Sequence, residues 1–415
     1  MQPFAAETTG MVAVVGARGA TTSGGTAMTD GPWLGDACSL VDAFRAGDRS
    51  PVEELDATLA AIDDSELNAF SFLDPDLARA KAAEADTDLP FGGVPFGVKE
   101  LSPYAGWPNT EATLVFADRV ADYTETALVR AEQLGGVVPV GLTTASEFGG
   151  LNVSVSKLNG VTHNPWQHGR TAGGSSSGSS AAVAGGLLTL ASGGDGGGSI
   201  RIPAGFYGLP GMKGTAVVNP TVADMVTEAG ELLAAEVGLQ VVDLDLAFPG
   251  LGFEWALGNL AGLYADLDGL WPECKDELSG EIAFGLTIAE QKYSIDMMAR
   301  SERARTRANE AVAAAFDEVD FIISATNPDV AFAADTFLNL ETAGQPTGPE
   351  NNGALTIPYN IVGNPSLSVP IGQLNGLPVG MQIATRHHDD ALVLDLGLAL
   401  ERERPWPLVA PAAPC

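Results

Sequence analysis

Residues 193–205 read GGDGGGSIRIPAG, which places Ser199 behind five glycines and Asp195 and ahead of an apolar run. Chain with so few side chains can bring several main-chain N–H groups to one point. Those of Gly196, Gly197, Gly198 and Ser199 could meet the oxygen of a tetrahedral intermediate while the Ser199 hydroxyl attacks its carbon. The same local pattern equally suits a serine that caps a glycine-rich turn. A phosphate site fits less well. Neither this stretch nor GRTAGGSSSGSS at 169–180 carries the Lys-Ser/Thr end of a P-loop, or the strand and acid context of a dinucleotide fingerprint.

A nucleophilic serine needs a base. The four histidines are poor candidates: His163 and His168 flank the turn-like NPWQHG, and His387 and His388 lie in polar TRHHDD, which reads as a solvated helix start. Lysine is scarce, with Lys81, Lys99, Lys157, Lys213, Lys275 and Lys292 the complete set. Lys99 stands out because FGGVPFGVKELS reads as a buried strand with the lysine at its end. Burial lowers a lysine pKa from about 10.4, and a drop of two to three units costs about 3 to 4 kcal/mol. A neutral amine can take a proton. The local pattern also allows Lys99 to snorkel from a strand end.

The elements that must position these groups follow a repeated grammar. SPVEELDATLAAI offers Ser50 as N-cap, Pro51 at the first helical position and Glu53 at the capping-box site, with Val52, Leu55, Leu59 and Ile62 on one face. Then an amphipathic helix ending at glycine precedes a β-rich run: TETALVRAEQLGG before VVPV, and TVADMVTEAGELLAAEVG before LQVVDL. SERARTRANEAVAAAFDEV before DFIIS repeats helix then strand. A short helix, SIRIPAGF, is expected to open at Ser199, its N-terminal dipole favouring developing negative charge. Such alternation predicts an α/β fold: a single large domain with a twisted mixed β-sheet core covered by helices on both faces. AGQPTGPENNG at 343–353 reads as a local loop.

Composition sets the outer bounds. The chain has 415 residues, 45% hydrophobic and 18% charged, enough for a sizeable core. Its formal charge of −32 repels phosphate backbones and anionic membrane surfaces, which argues against nucleic-acid and membrane partners. The longest nearly apolar run, AAVAGGLLTLA from Ala181, falls well short of the roughly 20 residues that span a bilayer. Cys38, Cys274 and Cys415 lack ligand spacing, so no metal site is expected, and they suit a reducing compartment such as the cytoplasm. Residues 1–27 read as a flexible extension without a secretory signal, 28–407 as the domain, and 408–415 as a frayed tail.

GVPFGVKE, GRTAGGSSSGSSAAVAGG and GGDGGGSIRIPAGFYGLPGMKGT, in that order, resemble the amidase signature family, whose members hydrolyse or transfer amides. The resemblance also takes in ALVRAEQLGGVVPVGLTTASEFGG, VDFIISATNP and IPYNIVGNPSLSVPIGQLNGLPVGMQI, and runs from about Ser39 to Pro407 with one break. It implies a cofactor-free Ser, cis-Ser, Lys triad. Ser199 is the implied nucleophile, Ser175 the bridging serine in a cis peptide, and Lys99 the base. Ser176 is the implied support for the lysine, while Asp195 and Arg201 brace the loop and Gly196, Gly197 and Gly198 shape the oxyanion hole. Lys99 would take a proton from Ser175, which takes one from Ser199, and the reverse path would protonate the leaving amine.

The chain departs from the family pattern in several places. Ser177 replaces a usual glycine, Gly196 a Thr or Ile, Leu142 a lysine and Gly214 a proline. After Thr215 some tens of residues of family pattern are missing, so GMKGT runs straight into AVVNPTVADMVTEAG. The expected function is hydrolysis of a small-molecule carboxamide through an acyl-enzyme. An amidotransferase component supplying ammonia within a complex, and a catalytically impaired family member, are the alternatives. GSSSG at 174–178 also matches GxSxG, with Ser176 as an α/β-hydrolase nucleophile, but that motif needs a strand directly before it, and NPWQHGRTAG does not read as one. Base rates favour a homodimer.

Overall fold

The computed structural model describes residues 31–153, 155–207, 218–242, 252–336 and 338–411. The 1–27 extension, Lys213, Gly214 and the junction at 215–216 lie outside them.

Local signals explain most of the helices. Pro51–Asp64 forms with the full capping box: Glu53 N donates to Ser50 Oγ and Ser50 N to a Glu53 carboxylate oxygen. Leu55 is buried, with Val52, Leu59 and Ile62 packed against the same cluster. Pro220–Val237 stops at Gly238, a left-handed cap. The run after it differs from expectation. Residues 239–242 form no strand, and Leu239, Val241 and Val242 are exposed, so they have no buried face to drive pairing; the rest of that run lies outside the described residues. Ile295–Glu318 leads into the strand Ile322–Ala325 as the pattern predicts.

Two larger sheets organise the described residues. The first has the order Phe70–Leu73, Val138–Thr143, Pro95–Lys99, Leu190–Ala191. Its first pair is antiparallel and the other two are parallel, so the sheet is mixed. The second is antiparallel, with the order Ser366–Leu374, Leu377–Ala384, Ile322–Ala325.

Helices cover both sheets. Helix Ser177–Ala184 brings Ala181 and Ala182 onto Val138 and Val140, while Leu40, Val41 and Phe44 of helix Ala37–Ala46 pack with Phe96, Val98 and Leu142. Val222, Val226 and Leu233, with Val393, Leu396 and Leu400 of helix Asp390–Glu403, cover Val369, Met381 and Ile383 of the second sheet. Helix Arg201–Tyr207 packs against both strands Ser366–Leu374 and Leu377–Ala384 and against helix Ser177–Ala184, and so joins the two halves.

Two further expectations change. Of the tail expected to fray at 408–415, only 408–411 are described, and there Ala410 is buried and its N–H donates to Ala184 O at 2.7 Å. The stretch before GSSSG does contain a strand, Gln167–Thr171, since NPW closes a hairpin with His163–Asn164. That strand is a largely exposed hairpin arm outside both larger sheets.

Candidate active site

Lys99 ends an inner strand of the first sheet, with parallel neighbours on both sides. The carboxyl ends of parallel strands are where open α/β sheets collect ligands. The neighbour Leu190–Ala191 runs from its carboxyl end into the 192–199 loop, and Lys99 N donates to Ser192 Oγ at 2.8 Å. On the other side, Gly178 N donates to Thr144 O at 2.9 Å and the Thr143 and Ser179 hydroxyls lie 2.6 Å apart. These bonds pin the start of helix Ser177–Ala184 to the end of strand Val138–Thr143. Three strand ends therefore bring the lysine and both serine segments together.

The Gly174–Ser175 peptide is cis. Lys99 Nζ donates to Ser175 Oγ at 2.8 Å and to Gly194 O at 3.1 Å. Ser175 O accepts from Ser146 N, and Ser176 N donates to Ser199 O at 3.0 Å, which lays the two serine segments side by side. Ser176 reaches the lysine through an intermediary: its hydroxyl bonds Gly194 O and accepts from Gly194 N, both at 3.3 Å, and Gly194 O in turn receives Nζ. Ser177, the departure from glycine, donates its hydroxyl to Gly173 O at 2.7 Å.

Lys99, Ser175 and Ser199 are all buried, with 3%, 2% and 6% of their surface exposed. Burial lowers the Lys99 amine to about 8, against the opposing pull of the Asp195, Glu111 and Glu125 charges. A substantial fraction of the amine is neutral near pH 8.

Asp195 and Arg201 brace the loop. Burial alone would raise Asp195, but the Arg201 charge and hydrogen bonds from Asn360, Arg201 and Ile200 outweigh it and hold the carboxyl below its ordinary range. Arg201 is completely buried, and its Nη2 lies 2.6 Å from Asp195 Oδ1 while Nε lies 3.0 Å from Oδ2, a bidentate pair. Asn360 Nδ2 donates to Asp195 O and Oδ1, and Thr356 Oγ1 donates to Gly197 O at 2.7 Å. Thr356 and Asn360 are loop holders that the local sequence signals missed. They act across more than 150 residues of chain; Asn360 lies inside the C-terminal resemblance that begins at IPYN, and Thr356 directly before it.

One of the four amides expected to face an oxyanion is engaged elsewhere. Gly198 N donates to Asp195 Oδ1 at 2.8 Å, because the carboxylate also caps the chain entering helix Arg201–Tyr207. The amides of Gly196, Gly197 and Ser199 make no hydrogen bond among the described residues. Gly198 has φ +115°, a region L side chains rarely adopt, and an added Cβ would lie 2.2 Å from Thr356 Oγ1. The helix itself begins at Arg201, two residues later than expected.

The histidines stand apart. His163 and His168 stack at 3.8 Å in the hairpin, and His387 and His388 are exposed before helix Asp390–Glu403. A small cleft opens beside helix Arg201–Tyr207, between Asn152, Ile202, Phe206, Asn327 and Phe332. It borders both serine loops, since Ile202 lies against Gly198 and Asn152 against Gly174, but none of the three proposed reacting groups lines it.

A family model described as Amidase matches residues 53–238 and 271–394. The chain is 28% identical to an acylamidase of Rhodococcus erythropolis, covering 92% of this chain and 97% of that protein. It is 27% identical to a glutamyl-tRNA(Gln) amidotransferase subunit of Lacticaseibacillus paracasei, covering 88% and 96%. The acylamidase alignment runs over 467 residues, more than this whole chain, so that relative carries residues with no counterpart here. A bacterial aryl acylamidase structure superposes with a TM-score of 0.82 at 22% identity, covering 90% of this chain and 97% of that one. The chain belongs to the amidase signature family.

Proposed function

We propose that this amidase hydrolyses a small-molecule carboxamide through an acyl-enzyme on Ser199, with Ser175 and Lys99 as the proton relay. The observation that carries the reading is the buried 2.8 Å contact between Lys99 Nζ and Ser175 Oγ. Once the amine is neutral, that line carries the Ser175 proton to Lys99 while Ser175 takes the proton of Ser199. Ser199 Oγ forms a bond to the carbonyl carbon and the carbonyl oxygen gains the negative charge, which the amides of Gly196, Gly197 and Ser199 receive. The relay then reverses: the carbon–nitrogen bond breaks and the leaving amine takes the proton. Water attacks the acyl-enzyme along the same path and frees the acid.

The test is covalent labelling of the purified protein with a fluorophosphonate. Label on Ser199, absent from Ser199→Ala, supports the reading, and undiminished labelling of that variant overturns it. The likeness to glutamyl-tRNA(Gln) amidotransferase subunits favours a second reading, ammonia supply to a partner. Amide hydrolysis by the isolated chain, with no co-purifying partner, decides against it. No helix among the described residues is long and apolar enough to cross a membrane. Cys274 is a free thiol, in keeping with the cytoplasm as the enzyme's compartment.

A further inference from the structure

The cup that holds the amides of Gly196, Gly197 and Ser199 has unequal sides. An added Cβ on Gly196 would meet nothing within 4 Å, so this side is open. On Gly198 it would run into Thr356 and Ile202, so this side is closed by the protein's own packing. On Gly197 it would lie 2.4 Å from Trp255 Cζ2 and 2.6 Å from Cη2. The benzo edge of the Trp255 indole therefore rests on the loop where the carbonyl oxygen of the substrate would sit.

Trp255 belongs to helix Gly252–Asp266 and is only partly buried. Backbone borders the other serine: an added Cβ on Gly149 would lie 3.3 Å from Ser175 Oγ. The loop that carries the nucleophile is thus met by one partly exposed indole.

We infer that Trp255 is a specificity-determining residue that selects amides bearing a flat aromatic substituent. The inference rests on the proposed reaction at Ser199. A ring conjugated to, or one bond from, the scissile amide lies close to its plane and can stack or pack edge-on against the indole while the oxygen stays in the cup. A saturated ring of the same size is thicker and lacks the quadrupole that makes such packing directional.

The experiment compares kcat/KM of the full-length protein and of Trp255→Ala and Trp255→Phe on two matched pairs: acetanilide against N-cyclohexylacetamide, and benzamide against cyclohexanecarboxamide. The expected result is an aromatic preference in at least one pair that falls by about tenfold in Trp255→Ala, mainly through KM, and survives in Trp255→Phe. An unchanged preference in Trp255→Ala, or no aromatic preference in the parent, overturns the inference. Fluorophosphonate labelling of Ser199 runs beside each assay. Failure of labelling in the parent counts against the reaction itself, whereas normal labelling with an unmoved preference counts against Trp255 alone. Should Trp255→Ala not fold, benzamide is titrated into Ser199→Ala and Ser199→Ala/Trp255→Phe. Quenching of tryptophan fluorescence in the first and not the second supports the contact, and equal response in both refutes it.

Discussion

Lys99 Nζ lies 2.8 Å from Ser175 Oγ, and both side chains are almost wholly removed from water. An ammonium in that position is costly, so burial favours the neutral amine, the form that can accept a proton.

The pH dependence of turnover follows from that cost. With the amine lowered to about 8, kcat/KM for a neutral amide should climb with pH, reach half its plateau near pH 8, and fall tenfold per unit well below it. Glu111, raised by burial to about 7, is a negative charge that favours the ammonium. Glu111→Gln should therefore move the acid limb to lower pH. A limb that does not respond to Lys99's surroundings, or lies near pH 6, assigns the base elsewhere.

Activity and stability should part company at Lys99. Its folded pKa is depressed below the unfolded value of about 10.4, so the charged form destabilises the fold fully below pH 8, less between 8 and 10, and not above. Lys99→Met should abolish amide turnover yet unfold at higher denaturant concentration at pH 7, by up to about 3 kcal/mol. The advantage should shrink as pH rises from 8 to 10. A destabilised Lys99→Met at pH 7 contradicts this account.

The Asp195–Arg201 pair should behave oppositely. Removing one partner leaves a buried charge alone, so Arg201→Met should cost about 3 to 5 kcal/mol. Arg201→Lys should restore little, because one ammonium cannot span both Asp195 oxygens and still reach Thr356 O and Asn360 Oδ1. Chemical denaturation of the variants measures both.

Gly197 and Trp255 should be energetically coupled. Gly197→Ala forces its Cβ into the indole, so it should lower kcat/KM, and Trp255→Ala in the same chain should recover part of the loss. A double-mutant cycle should return a coupling of about 0.5 to 3 kcal/mol. Strict additivity argues that the loop does not bear on the ring.

What could be read in advance was whatever depends on neighbours in sequence. The Ser50 cap and Glu53 capping box, the glycine stop at Gly238 and the buried Pro95–Lys99 strand each follow from a few adjacent residues, and the chain forms them accordingly. The α/β class follows from the same periodicities. Lys99 stands out as a lone lysine at the end of an apolar strand, but that pattern allows burial or snorkelling, and the packing around it decides for burial.

Tertiary structure alone decided which partners the loop groups keep. The Gly198 amide was expected in the cup, yet the Asp195 carboxylate takes it, and Arg201, Thr356 and Asn360 converge there from distant segments. Trp255 stands against Gly197 because helix Gly252–Asp266 docks on that loop, which no pattern within either segment encodes. Local chemistry sets which groups can react. Packing between segments far apart in the chain sets which hydrogen-bond donors remain free to serve the reaction, because each buried donor bonds whatever acceptor the fold brings within reach.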